Sequence, residues 1–158
     1  MTEATSGQPV LPDIASLLPH ASRMLLLDRC VEIGEEHLVA EVVIRPDTMF
    51  CRDGAVGAWV GIEYMAQAVG AYGGNVWRQQ GQPPKVGFLL GTRKQLCHRP
   101  RFAIGSVLRV TARREFQGGD GLAAFACSIE DQDGLAAEAT LSVFEPANVA
   151  QYLQQAPQ

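Results

Sequence analysis

The segment Trp59–Trp77 (WVGIEYMAQAVGAYGGNVW) holds nineteen residues and a single charge, Glu63. By length alone such a run could cross a bilayer. Glu63, Gln67 and Asn75 would be costly in lipid, so no membrane span is expected. The alternative is a helix that is apolar all round because protein wraps it. Its alanines and glycines let a sheet approach closely, and Gly73-Gly74 is a place where its end would fray or kink.

The flanking sequence supplies strands for that wrapping. Met24–Ile33 reads as a strand, Gly34-Glu35-Glu36 as a turn, and His37–Arg45 as a half-buried strand. In the last, Leu38, Ala40, Val42 and Ile44 alternate with Val39, Glu41, Val43 and Arg45 until Pro46 ends the run. Residues 46–57 read as a loop with turn chemistry at Asp53-Gly54. Lys85–His98 is a long strand candidate bulged at Gly91, and Ser106–Phe116 follows. Leu122–Glu130 and Leu135–Glu145 pair as a hairpin through Asp131–Gly134. Residues 1–12 and 147–158 read as peripheral ends. The expected architecture is α+β: a curled antiparallel sheet of five to six strands around one long central helix.

A chain of 158 residues suits one domain with a sizeable core. The opening MTEATSGQP lacks the basic start and apolar core of an export signal, which points to the cytoplasm. There Cys30, Cys51, Cys97 and Cys127, widely spaced and without a C-x-x-C, are expected as free thiols. His20, His37 and His98 are scattered without metal-ligand spacing, so no metal is expected. The charge is lopsided. Between Arg78 and Arg114 there are nine Lys or Arg and no acid, whereas the rest of the chain carries four basic and seventeen acidic residues. A basic face for an acidic partner is one reading, and ordinary solvated strand surface is the other. No nucleic-acid motif accompanies the run and the net charge is −4, so a small acidic protein or phosphorylated ligand fits better than nucleic acid.

A carboxylate within an apolar helix needs a partner or a use. Arg23 and Arg29 are candidate partners for Glu63. Gln67, four residues on, shares its face, and Gly70 and Gly74 continue that face and leave room beside it. Gly57-Ala58-Trp59 leads into the helix with free backbone N–H groups, suited to polarising a carbonyl oxygen. A carbonyl there, with a carboxylate one turn in, suits chemistry beside a thioester.

Two motifs carry a family resemblance. Leu18-Pro19-His20 followed by Met24-Leu25-Leu26-Leu27-Asp28-Arg29 resembles the opening of the 3-hydroxyacyl-[acyl-carrier-protein] dehydratases of the hot-dog superfamily. Ile62-Glu63-Tyr64-Met65-Ala66-Gln67-Ala68 resembles their helix signature, Glu-Ala-Met-Ala-Gln in many members. The likeness covers about residues 14–145 and is greatest to the branch found in aryl-polyene biosynthesis clusters. It implies a single hot-dog domain over residues 1–158, a homodimer or a heterodimer with a related subunit, and loss of water from a 3-hydroxyacyl thioester to give a trans-2-enoyl thioester. No cofactor is implied, because acyl carrier protein delivers the substrate on its phosphopantetheine arm. Arg93, Lys94, Arg99 and Arg101 are candidates for docking that acidic carrier.

Within the resemblance Glu63 matches the catalytic acid, while Gln67, Gly57, Ala58 and Trp59 are the substrate-binding candidates. The family's histidine lies in a Gly-His-Phe-Pro-Gly loop before the helix. The matching loop here, Phe50–Gly57, contains none. His20 then becomes the candidate base; Cys51 or Asp53 is a weaker substitute. Alternatively the subunit supports an active hot-dog partner. His98 and His37 read as surface residues. Hot-dog thioesterases, which use an acid on the same helix to activate water, are the rival enzyme class.

Overall fold

The computed structural model describes residues 10–19, 24–85 and 87–155. Strand alternation in the sequence becomes the two faces of a six-stranded antiparallel sheet. In chain order the strands are β1 (Arg29–Ile33), β2 (His37–Val43), β3 (Cys51–Arg52), β4 (Ala55–Gly57), β5 (Phe88–Cys97), β6 (Arg101–Ala103), β7 (Val107–Gln117), β8 (Leu122–Asp131) and β9 (Gly134–Phe144). The large sheet runs β1-β2-β7-β8-β9-β5, and β3-β4-β6 form a second, small sheet. On the inner face Leu38, Ala40 and Val42 of β2, Leu108, Val110 and Ala112 of β7, and Phe125, Cys127 and Ile129 of β8 are buried at every second position. Helix α2 (Gly61–Gln79) lies against that face and buries Tyr64, Met65, Ala68, Val69, Ala71 and Tyr72. Each large apolar side chain so enclosed contributes about 1.5–3 kcal/mol relative to exposure. No helix among the described residues is long and apolar enough to cross a membrane.

The helix proper starts two residues inside the apolar run and ends two residues beyond it. A 3-10 turn, Ala58–Val60, leads into it, and it continues through Gly73-Gly74 to Gln79. A short helix explains why it does not fray there. α1 (Ile14–Leu17) is capped by Asp13, whose side chain accepts from the Ala15 N–H at 3.2 Å. It packs so closely that a Cβ on Gly74 would lie 1.8 Å from the Leu17 carbonyl oxygen. The room expected beside Gly74 is therefore taken by backbone. The expected first strand is also shortened to Arg29–Ile33. Its front half is drawn elsewhere: the Leu26 N–H donates to Gln67 Oε1, and Asp28 Oδ2 accepts from the Val43 N–H.

The loop over residues 46–57 folds into the β3–β4 hairpin, with Asp53 at φ 53° and Gly54 at φ 81°. Two positive φ values in an Asp-Gly pair are what a tight type I′ turn requires. β5 is an edge strand whose register slips between Leu89 and Gly91 and again between Arg93 and Leu96. Its exposed Leu89, Leu90 and Leu96 and its open row of backbone groups suit pairing with another chain. Beyond the sheet, α3 (Val149–Gln155) brings order to an end expected to be peripheral. Tyr152 sets its ring 5.0 Å from Phe88 and 5.2 Å from Phe144.

Candidate functional site

Helical periodicity puts Glu63, Ala66, Gln67, Gly70, Gly73 and Trp77 along one face of α2, and all of them line a cavity of about 710 Å³. The opposite wall comes from the sheet, through Phe88, Leu89, Ala123, Phe125, Val143 and Phe144. Leu18 and Pro19 also line it, with the end of the Leu18 side chain beside Gly70. The lining is mainly apolar with a few polar groups, and the volume lies within the range of small-molecule sites.

Glu63 is half-buried on this wall. Its neighbour Gln67 is almost wholly enclosed, 1% exposed, and its amide is held at both ends. Oε1 accepts from the Leu26 N–H at 2.8 Å, and Nε2 donates to the Met24 carbonyl at 2.6 Å and to Glu63 Oε1 at 3.1 Å. Gln67 thus ties the segment that follows residues 20–23 to the helix and fixes one carboxylate oxygen of Glu63. Its amide hydrogens are spent on these contacts, which makes it a positioning group for Glu63 as well as part of the wall.

The helix start is built differently from the expectation. The Ala58 N–H donates to the Pro100 carbonyl at 3.0 Å, and Gly57 pairs opposite Arg101 between β4 and β6. Gly57, Ala58 and Trp59 do not line the cavity. One of the amides expected to be free is thus already used. Trp59 stands 67% exposed, with its ring edge-on to Phe50 at 5.4 Å.

His20 lies outside the described residues, as does Arg23. Arg29 makes a bidentate pair with Glu41, at 3.1 and 2.9 Å, on the outer surface. His37 is half-buried, with Nε2 2.9 Å from Glu32 Oε1, and His98 is exposed at the end of β5. Neither ring lines the cavity. Cys51 is half-buried in β3, and Asp53 is committed to the hairpin turn. The thiols of Cys30, Cys51, Cys97 and Cys127 are free.

The basic run does not form one face. Arg99 is locked to Asp131 by two bonds of 2.7 and 3.1 Å, and this pairing holds the Asp131 carboxyl below the usual carboxylate range. Arg101 donates to the Arg52 carbonyl, and Arg109 pairs with Glu32 at 2.9 Å. Arg93 and Lys94 lie on the edge strand β5, outside the ion pairs found among the described residues. Of the four docking candidates, Arg99 alone shares its charge with an acid among the described residues, while Arg101 is held by the backbone carbonyls of Arg52 and Asp53.

Two features escaped the sequence reading. Tyr64, where many dehydratases of the superfamily have alanine, is 1% exposed and packs against Phe102, yet its hydroxyl has no hydrogen-bond partner among the described residues. Burial, aided by the charges of Asp28 and Cys51, pushes its ionisation up to about 12. The second is a cluster at the far end of the cavity, Trp77, Lys85 and Glu145. It joins residues far apart in sequence, and no local pattern announces it.

One long helix on the inner face of an antiparallel sheet, with a carboxylate on that helix facing an apolar cavity, is the hot-dog architecture. A chain of the dehydratase heterocomplex ApeI:P from Xenorhabdus doucetiae has the same fold at a TM-score of 0.84 and 26% identity, over 92% of this chain and 97% of that one. The chain belongs to the ApeP-like family, whose model for ApeP dehydratase matches residues 12–154. More distant hot-dog structures share the fold alone. A hypothetical thioesterase with coenzyme A from Streptococcus pneumoniae matches at TM-score 0.59 and 14% identity, over 74% of this chain and 84% of that one. The PaaI protein of the E. coli phenylacetic acid degradation operon matches at 0.58 and 14%, over 73% and 81%. No curated protein matches the chain.

Proposed function

We propose that this protein is a dehydratase subunit that removes water from 3-hydroxyacyl thioesters carried on acyl carrier protein, giving trans-2-enoyl thioesters for an aryl-polyene-like or fatty-acid-like chain. The observation that carries the reading is the placement of Glu63, half-buried on the cavity wall with one oxygen held by Gln67. A carboxylic acid there gives its proton to the departing C3 hydroxyl. A base takes the C2 proton, and the C2–H electron pair becomes the new double bond as water leaves.

His20 is the base in this proposal. Pro19 before it lines the same cavity as Glu63, and the carbonyl of Met24 after the 20–23 segment is bonded to Gln67. The chain flanking His20 is thus anchored at the site from both sides. The acyl group occupies the cavity, and Arg93 and Lys94 on β5 attract the acidic carrier. β5 pairs with the edge of a related hot-dog subunit, in line with the heterocomplex to which this chain is similar.

A second reading rests on that same similarity. The imidazoles among the described residues, His37 and His98, stand away from the cavity, so an active partner could supply the base. One incubation separates the alternatives: the purified chain, alone and with a related hot-dog subunit, is given a 3-hydroxyacyl-carrier protein and the product mass is followed. Loss of water by the chain alone supports the first reading, and loss only with the partner supports the second. A freed acid would instead mark a thioesterase.

A further inference from the structure

A clamped tryptophan borders the cavity at the end of α2 away from Glu63. Trp77 stands fourteen residues beyond Glu63 on the same helical face, about 21 Å along the axis at the rise of an α-helix. Its indole Nε1 donates to Glu145 Oε1 at 2.7 Å. The Lys85 ammonium sits over its ring, 3.8 Å from the centroid. Glu145 reaches across from the end of β9, and its Oε2 comes within 3.9 Å of where a Gly73 side chain would begin. All four residues line the cavity. The ring is therefore fixed through its edge and one face, and a charge-assisted hydrogen bond is the stronger of the two ties.

We infer that Trp77, held by Glu145 and Lys85, is the stop that sets the longest acyl chain the cavity accepts. The inference rests on the reading that the acyl group runs along α2 from a thioester at Glu63. A methyl end that reaches the indole must either displace it, breaking the bond to Glu145, or turn out of the cavity. Chains short of the stop gain from each added methylene buried among Tyr72, Val76, Phe88, Phe125, Val143 and Phe144. Chains past it gain nothing further. Glu145 and Lys85 are positioning residues in this scheme, acting through the ring.

Calorimetric titration of the full chain with S-alkyl pantetheine thioethers, from butyl to hexadecyl, tests it. In the unaltered protein, affinity is expected to rise by up to about fourfold per methylene and then stop rising at a defined length. In Trp77→Ala that limit moves to longer chains by several methylenes, while shorter ligands bind as before. Trp77→Leu, which keeps an apolar side chain on the helix, moves it less and guards against a folding defect. Glu145→Ala loosens the ring and lengthens the limit. Glu145→Gln leaves it in place, because the amide oxygen still accepts from the indole. A limit that stays the same in both Trp77 variants overturns the assignment while leaving the acyl cavity standing. Affinity independent of chain length in the unaltered protein overturns both the stop and the acyl reading beneath it.

Discussion

Replacing Gln67 by leucine removes one amide and no volume of consequence, so it isolates the clamp. In the native site the amide satisfies two backbone groups, the Leu26 N–H at 2.8 Å and the Met24 carbonyl at 2.6 Å. Leucine can bond to neither. Each stranded group costs about 1–3 kcal/mol where water cannot replace the lost partner. Both bonds are only part-buried, which favours the lower half of that range and a combined loss of about 2–4 kcal/mol. Urea denaturation followed by circular dichroism reads this as a lower midpoint at an unchanged slope. The same substitution takes away the N–H that holds Glu63 Oε1 at 3.1 Å, so turnover is expected to fall roughly tenfold or more in the dehydration assay. A destabilisation below about 1 kcal/mol would refute the reasoning, because Gln67 could not then be carrying the Met24–Leu26 segment.

Further outcomes follow from other parts of the fold. Burial pushes the Cys127 thiol and the Tyr64 hydroxyl up to about 12 from ordinary values of 9.0 and 10.0. The folded chain then keeps protons that the unfolded chain releases. Their contribution to stability is whole below about pH 9 and is lost as the pH rises towards about 12. Urea midpoints measured across that window should fall, and should fall less in Cys127→Ala/Tyr64→Phe; a flat profile in the native protein would contradict the burial argument. At neutral pH, Tyr64→Phe alone should be neutral or mildly stabilising, since it deletes a hydroxyl with no partner among the described residues. The helix glycines should differ in thermal melts. Gly74→Ala drives a Cβ into the Leu17 backbone and should cost about 1–3 kcal/mol. Gly70→Ala meets only the end of the Leu18 side chain, at 3.0 Å, and the gain in helix propensity, about 1 kcal/mol, should leave it near neutral.

Much of this was legible in the residues because two periods are written plainly. The single charge of the apolar run falls on the cavity wall, and the alternation of Leu38, Ala40 and Val42 with their neighbours in His37–Arg45 marks a strand whose inner side chains are buried. Asp53-Gly54 and the Asp131–Gly134 hairpin are local chemistry and fall where they were expected. What was hidden depends on contacts distant in sequence. Met24–Asp28 has strand-like residues but gives its first backbone groups to Gln67, forty-odd positions away, so the strand starts at Arg29. One of the amides expected to be free at the helix start, that of Ala58, is taken by the Pro100 carbonyl just before β6. Gly74 reads as a helix breaker until Leu17 is seen lying on it. A run of like charges in sequence does not foretell that Arg99 will find Asp131 at the end of β8 and Arg109 will find Glu32 on β1.

The proposed role of Glu63 as proton donor is tested most directly by the turnover of Glu63→Gln on a 3-hydroxyacyl-carrier protein, resolved by product mass. Glutamine keeps an oxygen in place to accept from Gln67 Nε2, so the fold and the cavity wall should persist, as a matched urea midpoint would verify. It cannot give up a proton to the leaving hydroxyl. Loss of water should slow by about a hundredfold to ten-thousandfold with acyl binding retained. Turnover equal to that of the native chain, in the same assembly with its partner, would contradict it.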